Sequence, residues 1–377
     1  MVPAALLGVL SSLAFVAPAA SASGKTLYAA PSAKGSADCA QSADACTLPT
    51  ALSHAVSGDT VDLAAGTYRA TSYTSLIISA SVTVEPTIAN SAVLLEGNGA
   101  TVLVVHSSSK VTISGITIAD GTSAGSAGGI VNNGNLVVTD STVAHNSALA
   151  DGGGIWNSGT LVVHDSTFID NNGWDGGGIA NYGGLTVSDS TFSGNEAGDA
   201  GGAIFNYGNP ASVVDSTFSG NTTEPGAVGG GIYNDDGSLN LTGSTVTGNS
   251  ATLAGGVYNN STLNAIADIV ANSSSGGDCS GWSTSGIFHI TDSGYNLNDD
   301  GTCGFTASTS LSDTAPKLNP AGPEDNGGPT QTISLEPGSP AIGHVTKAAD
   351  CQPTDQRGYI ETVPCDIGAF DTGAKRP

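Results

Sequence analysis

Apolar and polar positions through the middle of the chain recur as a unit of fixed length. The phrase Gly-Gly-Ile-x-Asn appears as Gly128 to Asn132, Gly153 to Asn157 and Gly177 to Asn181, with relatives at Gly202 to Asn206, Gly230 to Asn234 and Gly255 to Asn259. From Ile130 through Ile155, Ile179, Ile204 and Ile232 to Val257 the steps are 25, 24, 25, 28 and 25 residues. That is too regular for chance and too short for a domain, so each unit is one coil of a solenoid. A second phrase, Leu-x-Val-x-Asp-Ser-Thr-Phe, lies between the anchors at Leu161 to Phe168 and Leu185 to Phe192, with relatives at Leu136 to Val143 and Leu239 to Val246. Alternation at Leu, Val and the aromatic has the period of a strand with one buried face, and the Asp-Ser pair supplies a turn. Each coil is therefore expected to hold short strands and no helix.

Stacked coils lie roughly 4.8 Å apart, the strand spacing, so residues one repeat apart become neighbours in a column. The isoleucines form one inward column. Asn132, Asn157, Asn181, Asn206, Asn234 and Asn259 form another, in which each amide donates to one neighbour and accepts from the next. The glycines before each Ile are expected to supply positive backbone torsions. Asp140, Asp165, Asp189 and Asp215 recur at the turn and read as caps, while Thr142, Thr167, Thr191, Thr217 and Thr245 make a stripe beside the buried aromatic.

Outside the repeats the organisation reads as follows. Residues 1–22 have the apolar run and the Ala20-Ser21-Ala22 ending of a signal peptide, with a secreted chain starting near Ser23. Residues 23–58 form an N-terminal cap, with a strand at Thr26 to Ala29 and a short helix around Leu48 to Val56 covering the open first coil. Residues 59–275 are the parallel β-helix, and 276–377, richer in Pro, Asp and Cys, are a final coil and a capping extension. Six cysteines fall in couples, Cys39 with Cys46, Cys279 with Cys303 and Cys351 with Cys365, and three local disulfides are the economical inference among 15 pairings. All lie outside the repeats, where they would staple the ends.

The formal charge is −24, from 33 acidic and nine basic residues, and no Lys or Arg falls between Lys110 and Lys317. Nucleic acid is excluded as a partner, because phosphate binding needs a basic footprint. Acidic polysaccharides and anionic membranes would be repelled unless a divalent cation bridged them. No second long apolar run provides a membrane span in the mature chain.

The Gly-Gly-Ile and Phe-x-x-Asn phrases (Phe168 to Asn171, Phe192 to Asn195, Phe218 to Asn221) resemble the repeats of chlamydial polymorphic outer membrane proteins and, more broadly, right-handed parallel β-helices of the pectate lyase type. Asp325 to Thr330, Pro337 to Ile342, Asp355 to Gly358 and Cys365 to Phe370 are similar, in order, to blocks of bacterial choice-of-anchor Q domain proteins. The resemblance implies an all-β, single-stranded right-handed parallel β-helix of about 24–25 residues per coil with capped ends, secreted or at the cell surface. It implies no reaction.

Chemistry on a solenoid should break the repeat, since it is needed once. The non-repeating polar residues His145, Asp151, Asp170, Trp174, Asp175, Glu196, Asp199 and Glu224 are expected to share one edge, with Asp151 over Asp175 and His145 over Asp170. Carboxyls on adjacent coils would be about 5 Å apart, as in a retaining glycosidase. Asp151, Asp175, Asp170 and His145 are thus the catalytic candidates. The same edge could hold calcium through Asp151, Asp175 and Asp199, or simply keep the rod soluble. Against catalysis, the repeats after Lys110 offer neither Lys nor Arg as a strong base. Trp156, Phe205, Tyr233 and Tyr258 follow the inward aliphatic and should face outward, with Tyr182 and Tyr207 two positions further on and Trp174 nearby. In a chain only 5% aromatic, these are the candidates for stacking on sugar rings. The reading is a secreted, non-catalytic, adhesin-like rod that binds an extracellular polysaccharide or cell-envelope glycan, requiring no cofactor but admitting calcium. The alternative is a polysaccharide hydrolase, less readily a lyase.

Overall fold

The computed structural model describes residues 24–33, 38–69, 74–282 and 290–377. The expected signal peptide at 1–22 lies outside the described residues. Within them the chain winds into stacked coils whose strands pair in parallel, one coil to the next. These strands assemble into an eleven-stranded sheet, two nine-stranded sheets and a short five-stranded sheet. One coil shows the plan: Ile155–Asn157, Thr160–His164, Thr167–Ile169 and Asn172–Asp175 contribute one strand to each sheet. Register follows the repeat, with Ile155 opposite Ile179, Leu161 opposite Leu185 and Phe168 opposite Phe192.

The interior is a set of like-on-like columns. Phe168, Phe192 and Phe218 are fully buried and stack at centroid spacings of 4.6 and 4.8 Å, and burial of each ring stabilises by roughly 1.5–3 kcal/mol. The Asn column forms as expected: the side-chain amides of Asn132, Asn157, Asn181, Asn206 and Asn234 each donate to the next Asn oxygen at 2.6 to 2.8 Å. A second buried ladder runs through Asn146, Asn171, Asn195, Asn221 and Asn249 at 2.9 to 3.0 Å. A third uses Ser hydroxyls, each accepting from the backbone N–H of the Ser one coil earlier, from Ser141 to Ser244. Buried polar groups thus satisfy one another along the axis.

The glycine expectation needs correction. Positive φ falls on the residue before the Gly-Gly pair, as at Gly152 (74°), Gly176 (65°) and Gly201 (68°). The pair itself is required by close approach, because a Cβ on Gly154 would lie 2.5 Å from the Gly178 carbonyl oxygen. The turn aspartates Asp140, Asp165, Asp189 and Asp215 occupy left-handed backbone, φ 43 to 51°, which Asp tolerates better than most side chains.

Helix α1 (Leu48–His54) turns Leu48, Ala51 and Leu52 onto the first coils, with Thr47 as its N-cap. Among the described residues no helix is long and apolar enough to cross a membrane. The three disulfides are Cys39–Cys46 near α1, Cys279–Cys303 on the last coil and Cys351–Cys365.

The third disulfide lies in the C-terminal extension, with Cys365 packed among Ile269 and Leu297 of the last coils. Beyond the last coil the chain runs back along the flank as a strap. Thr191 Oγ1 donates to the Gln331 carbonyl at 2.5 Å, Thr217 Oγ1 to Gln356 Oε1 at 2.6 Å, and the Ala369 N–H to Thr245 Oγ1 at 3.1 Å. The blocks around Thr330, Gln356 and Cys365 to Phe370 therefore cover the threonine stripe at Thr191, Thr217 and Thr245, while Thr142 and Thr167 stay half-buried. That part of the stripe is an internal docking surface, not a free face.

Candidate functional site

The coil plan puts the residue after each inward Ile on the outer face of one nine-stranded sheet. Neighbouring coils bring Trp156, Tyr182, Phe205, Tyr207, Tyr233 and Tyr258 into one chain of ring contacts. Tyr182 touches Trp156, Phe205 and Tyr207 at centroid distances of 6.1, 5.7 and 6.0 Å. Phe205, Tyr233 and Tyr258 stack nearly parallel at 5.1 and 5.5 Å. Each ring partly covers the next, so the face is less open than the sequence suggests. Phe205 is 8% exposed, Trp156, Tyr182, Tyr233 and Tyr258 are half-buried, and Tyr207 is 42% exposed. Trp174 stands apart on the short sheet, 52% exposed and lying against Gly198.

Sequence reasoning missed Trp282, 71% exposed. Its strand neighbours Cys279 and Ser280 pair with Val257 and Tyr258, and its N–H donates to Asn260 Oδ1 at 2.7 Å. The Asn260 amide in turn donates to Tyr233 Oη at 3.3 Å. Trp282 therefore extends the strip by one coil. The step on this coil is 22 residues, with Ser280 opposite Tyr258, so a count of the repeat gave no signal for Trp282.

Carboxylates border the strip. Tyr182 Oη donates to Asp151 Oδ2 at 2.7 Å and Tyr233 Oη to Asp235 Oδ2 at 3.1 Å. Burial and these acids push both phenols above the usual tyrosine range. The Gly152 N–H donates to the Asp175 carbonyl at 2.8 Å, setting Asp151 and Asp175 on adjacent coils. Burial first, then repulsion from Asp151 and Asp199, raises the Asp175 carboxyl to about 7. Its Oδ1 is buried with no hydrogen-bond partner.

The expected single edge divides in two. His145 and Asp170 do meet, at 3.8 Å, but as an exposed ion pair on left-handed turn positions. They lie beyond the start of the Asn172–Asp175 strand, with Asp175 at its other end. Three sets of His, Cys, Asp or Glu among the described residues bring ligand atoms within 4.8 Å of one another: His164 with Asp165 and Asp189, Asp278 with Asp299 and Asp300, and Glu361 with the bonded Cys351 and Cys365. Asp151, Asp175 and Asp199 are not one of them. His164 bridges Asp165 at 2.8 Å and Asp189 at 3.1 Å, and these hydrogen bonds raise it to about 10.

A second acidic cluster lies under the strap. Asp215 is raised well above its usual range by burial and by neighbours that include Asp189, Glu361, Asp355 and Asp268. Burial, with Asp371 and Asp355, lifts Glu361 to about 8, and burial with Asp366 lifts Asp371 to about 6. Asp215 Oδ1 and Asp371 Oδ2 have no hydrogen-bond partner. Arg357, a cation beside this cluster, is held by Asp355.

With parallel coils, inward ladders and an outer aromatic face in place, the class is defined by its fold: this is an all-β right-handed parallel β-helix. Residues 70–223 match the family model described as right handed beta helix region. The crystal structure of pectate lyase Pel9A aligns over 94% of this chain and 97% of its own, with TM-score 0.53 and 14% identity. A rhamnogalacturonan lyase aligns over 90% and 97%, with TM-score 0.43 and 13% identity. No curated protein sequence matches the chain. At such identity the likeness to Pel9A defines the fold and leaves the chemistry to this chain's own residues.

Proposed function

We propose that the protein is an extracellular, non-catalytic rod that binds a glycan along the strip from Trp156 to Trp282. The observation that carries this reading is the continuous row of aromatic rings on consecutive coils, bordered by carboxylates that accept hydrogen bonds. Rings offer partly exposed faces and edges to sugar C–H groups, and carboxylates accept from hydroxyls. Three disulfides fit an oxidising, extracellular setting. The adhesin-like role and the relation to polymorphic outer membrane repeats and choice-of-anchor Q domains belong to this proposal. Calcium is not needed for it. The test is retention on immobilised polysaccharides: Tyr207→Ala with Tyr233→Ala should lower retention about tenfold or more with the fold intact by circular dichroism. Unchanged retention overturns the reading.

A second reading, polysaccharide hydrolysis, is favoured by one observation. Asp175 at about 7 is half protonated at neutral pH and adjoins Asp151, as an acid and its partner carboxylate would. Release of new reducing ends by the wild type and its loss in Asp175→Asn would replace the binding-only account.

A further inference from the structure

We infer that the strip selects glycans whose pendant groups are hydrogen-bond donors, specifically chains of hexosamine units with free amines, and rejects uronate chains. The inference rests on the glycan-binding reading and names its ligand class.

Two hydroxyl donors beside the strip's carboxylates are already committed. The Tyr182 hydroxyl gives its proton to Asp151 and the Tyr233 hydroxyl to Asp235. The Asn260 amide gives one to Tyr233 Oη, and the Trp282 backbone N–H is taken by Asn260. What these groups leave facing a ligand is acceptors: carboxylate lone pairs and π faces.

Charge points the same way. Asp151, Asp175 and Asp199 sit on three successive coils, and Tyr207 pairs in register with Asp235. No Lys or Arg occurs between Lys110 and Lys317 to balance them. A uronate would bring a further negative charge to each coil with no cation to receive it. A neutral sugar would fill the acceptors and leave the repulsion in place. An ammonium on each unit donates three hydrogen bonds, offsets the carboxylate charge and is attracted to the Tyr and Trp faces. Repulsion among these acids helps hold Asp175 at about 7, so a bound cation should draw it down and release a proton.

The test is calorimetric titration of the full chain with short glucosamine oligomers, their N-acetylated counterparts and galacturonate oligomers. It is run in mildly acidic buffer at ~0.15 M salt, which screens charges beyond about 8 Å. The free-amine oligomer is expected to bind about tenfold or more tighter than the acetylated one, with no binding of galacturonate. Asp151→Asn with Asp175→Asn should remove that preference. Asp44→Asn with Glu336→Gln, an equal charge change at exposed positions off the strip, should keep it. Equal or better binding of the acetylated or galacturonate oligomers overturns the inference and leaves glycan binding standing. Equal loss in the off-strip variant also overturns it, by making the attraction non-specific. Binding of none of the three, nor of any immobilised polysaccharide, removes both readings.

Discussion

The Gln356 side-chain oxygen accepts a hydrogen bond from Thr217 Oγ1 at 2.6 Å, across 139 residues of sequence. The same amide donates to Thr191 Oγ1 and Thr330 Oγ1, both at 2.9 Å, so one fully buried side chain locks the strap to two coils. Gln356→Ala orphans the buried Thr217 hydroxyl, at about 1–3 kcal/mol for that unsatisfied group, and takes one donor from Thr191 and Thr330, whose hydroxyls still donate to the Gln331 and Asp189 carbonyls. Hydrogen exchange should then rise across residues 316–377 while the coils from 128 to 180 keep their protection. A uniform rise along the chain would show that strap and rod unfold as one unit.

The acids under the strap make its attachment pH-dependent. The folded carboxyls of Asp215, Glu361 and Asp371 are raised, the latter two to about 8 and about 6, whereas unfolded carboxyls titrate near ~4. The unfolded state therefore loses these protons first as pH rises, and docking weakens from about pH 4 up to about pH 8. Asp189, Asp268, Asp355 and Asp366 add to the repulsion, and Arg357 is engaged by Asp355. Urea midpoints should fall between mildly acidic and mildly alkaline buffer, and Asp215→Asn with Glu361→Gln should flatten that fall. A rise with pH would contradict the assignment.

His164 adds a separate alkaline limb. Its imidazole is raised to about 10 by hydrogen bonds to Asp165 and Asp189. The stability it lends is full below the unfolded value near ~6.5 and is lost as pH climbs through about 10. His164→Gln should lower stability at neutral pH and remove the loss above it, as read from thermal midpoints across that range.

Two glycines separate close approach from mere flexibility. Gly154→Ala drives a methyl to 2.5 Å from a backbone oxygen of the next coil, whereas at Gly184 the nearest atom is 3.9 Å away. The first is expected to lower stability by several kcal/mol, as overpacking does, and the second by less than about 1 kcal/mol. Comparable melting curves would show that the coils can part to admit the methyl.

The fold was legible because each coil repeats its instructions. The Ile and Asn columns need only a count from Ile130 to Ile155 to be read, and the structure pairs those residues. Interactions made once were not legible. Nothing in the repeat announces that Thr191 and Thr217 face Gln331 and Gln356, because that contact joins a periodic segment to an aperiodic one. On the acidic edge the count placed Asp151 beside Asp175 and His145 beside Asp170, but it could not show the register shift between Gly173 and Asp175 that sets Asp175 opposite Ala200. The aromatic row was read correctly in position and too generously in exposure, since Phe205 is covered by Tyr233 and Tyr207.

Tryptophan emission tests the central claim most directly. Trp156 and Trp282 mark the two ends of the strip, and Trp174→Phe removes the third tryptophan from the signal. Titration of that variant with a glycan it retains should give a saturable blue shift, as exposed Trp282 and half-buried Trp156 lose water. Retention with no change in emission would place the ligand elsewhere and contradict the assignment of the aromatic strip as the binding face.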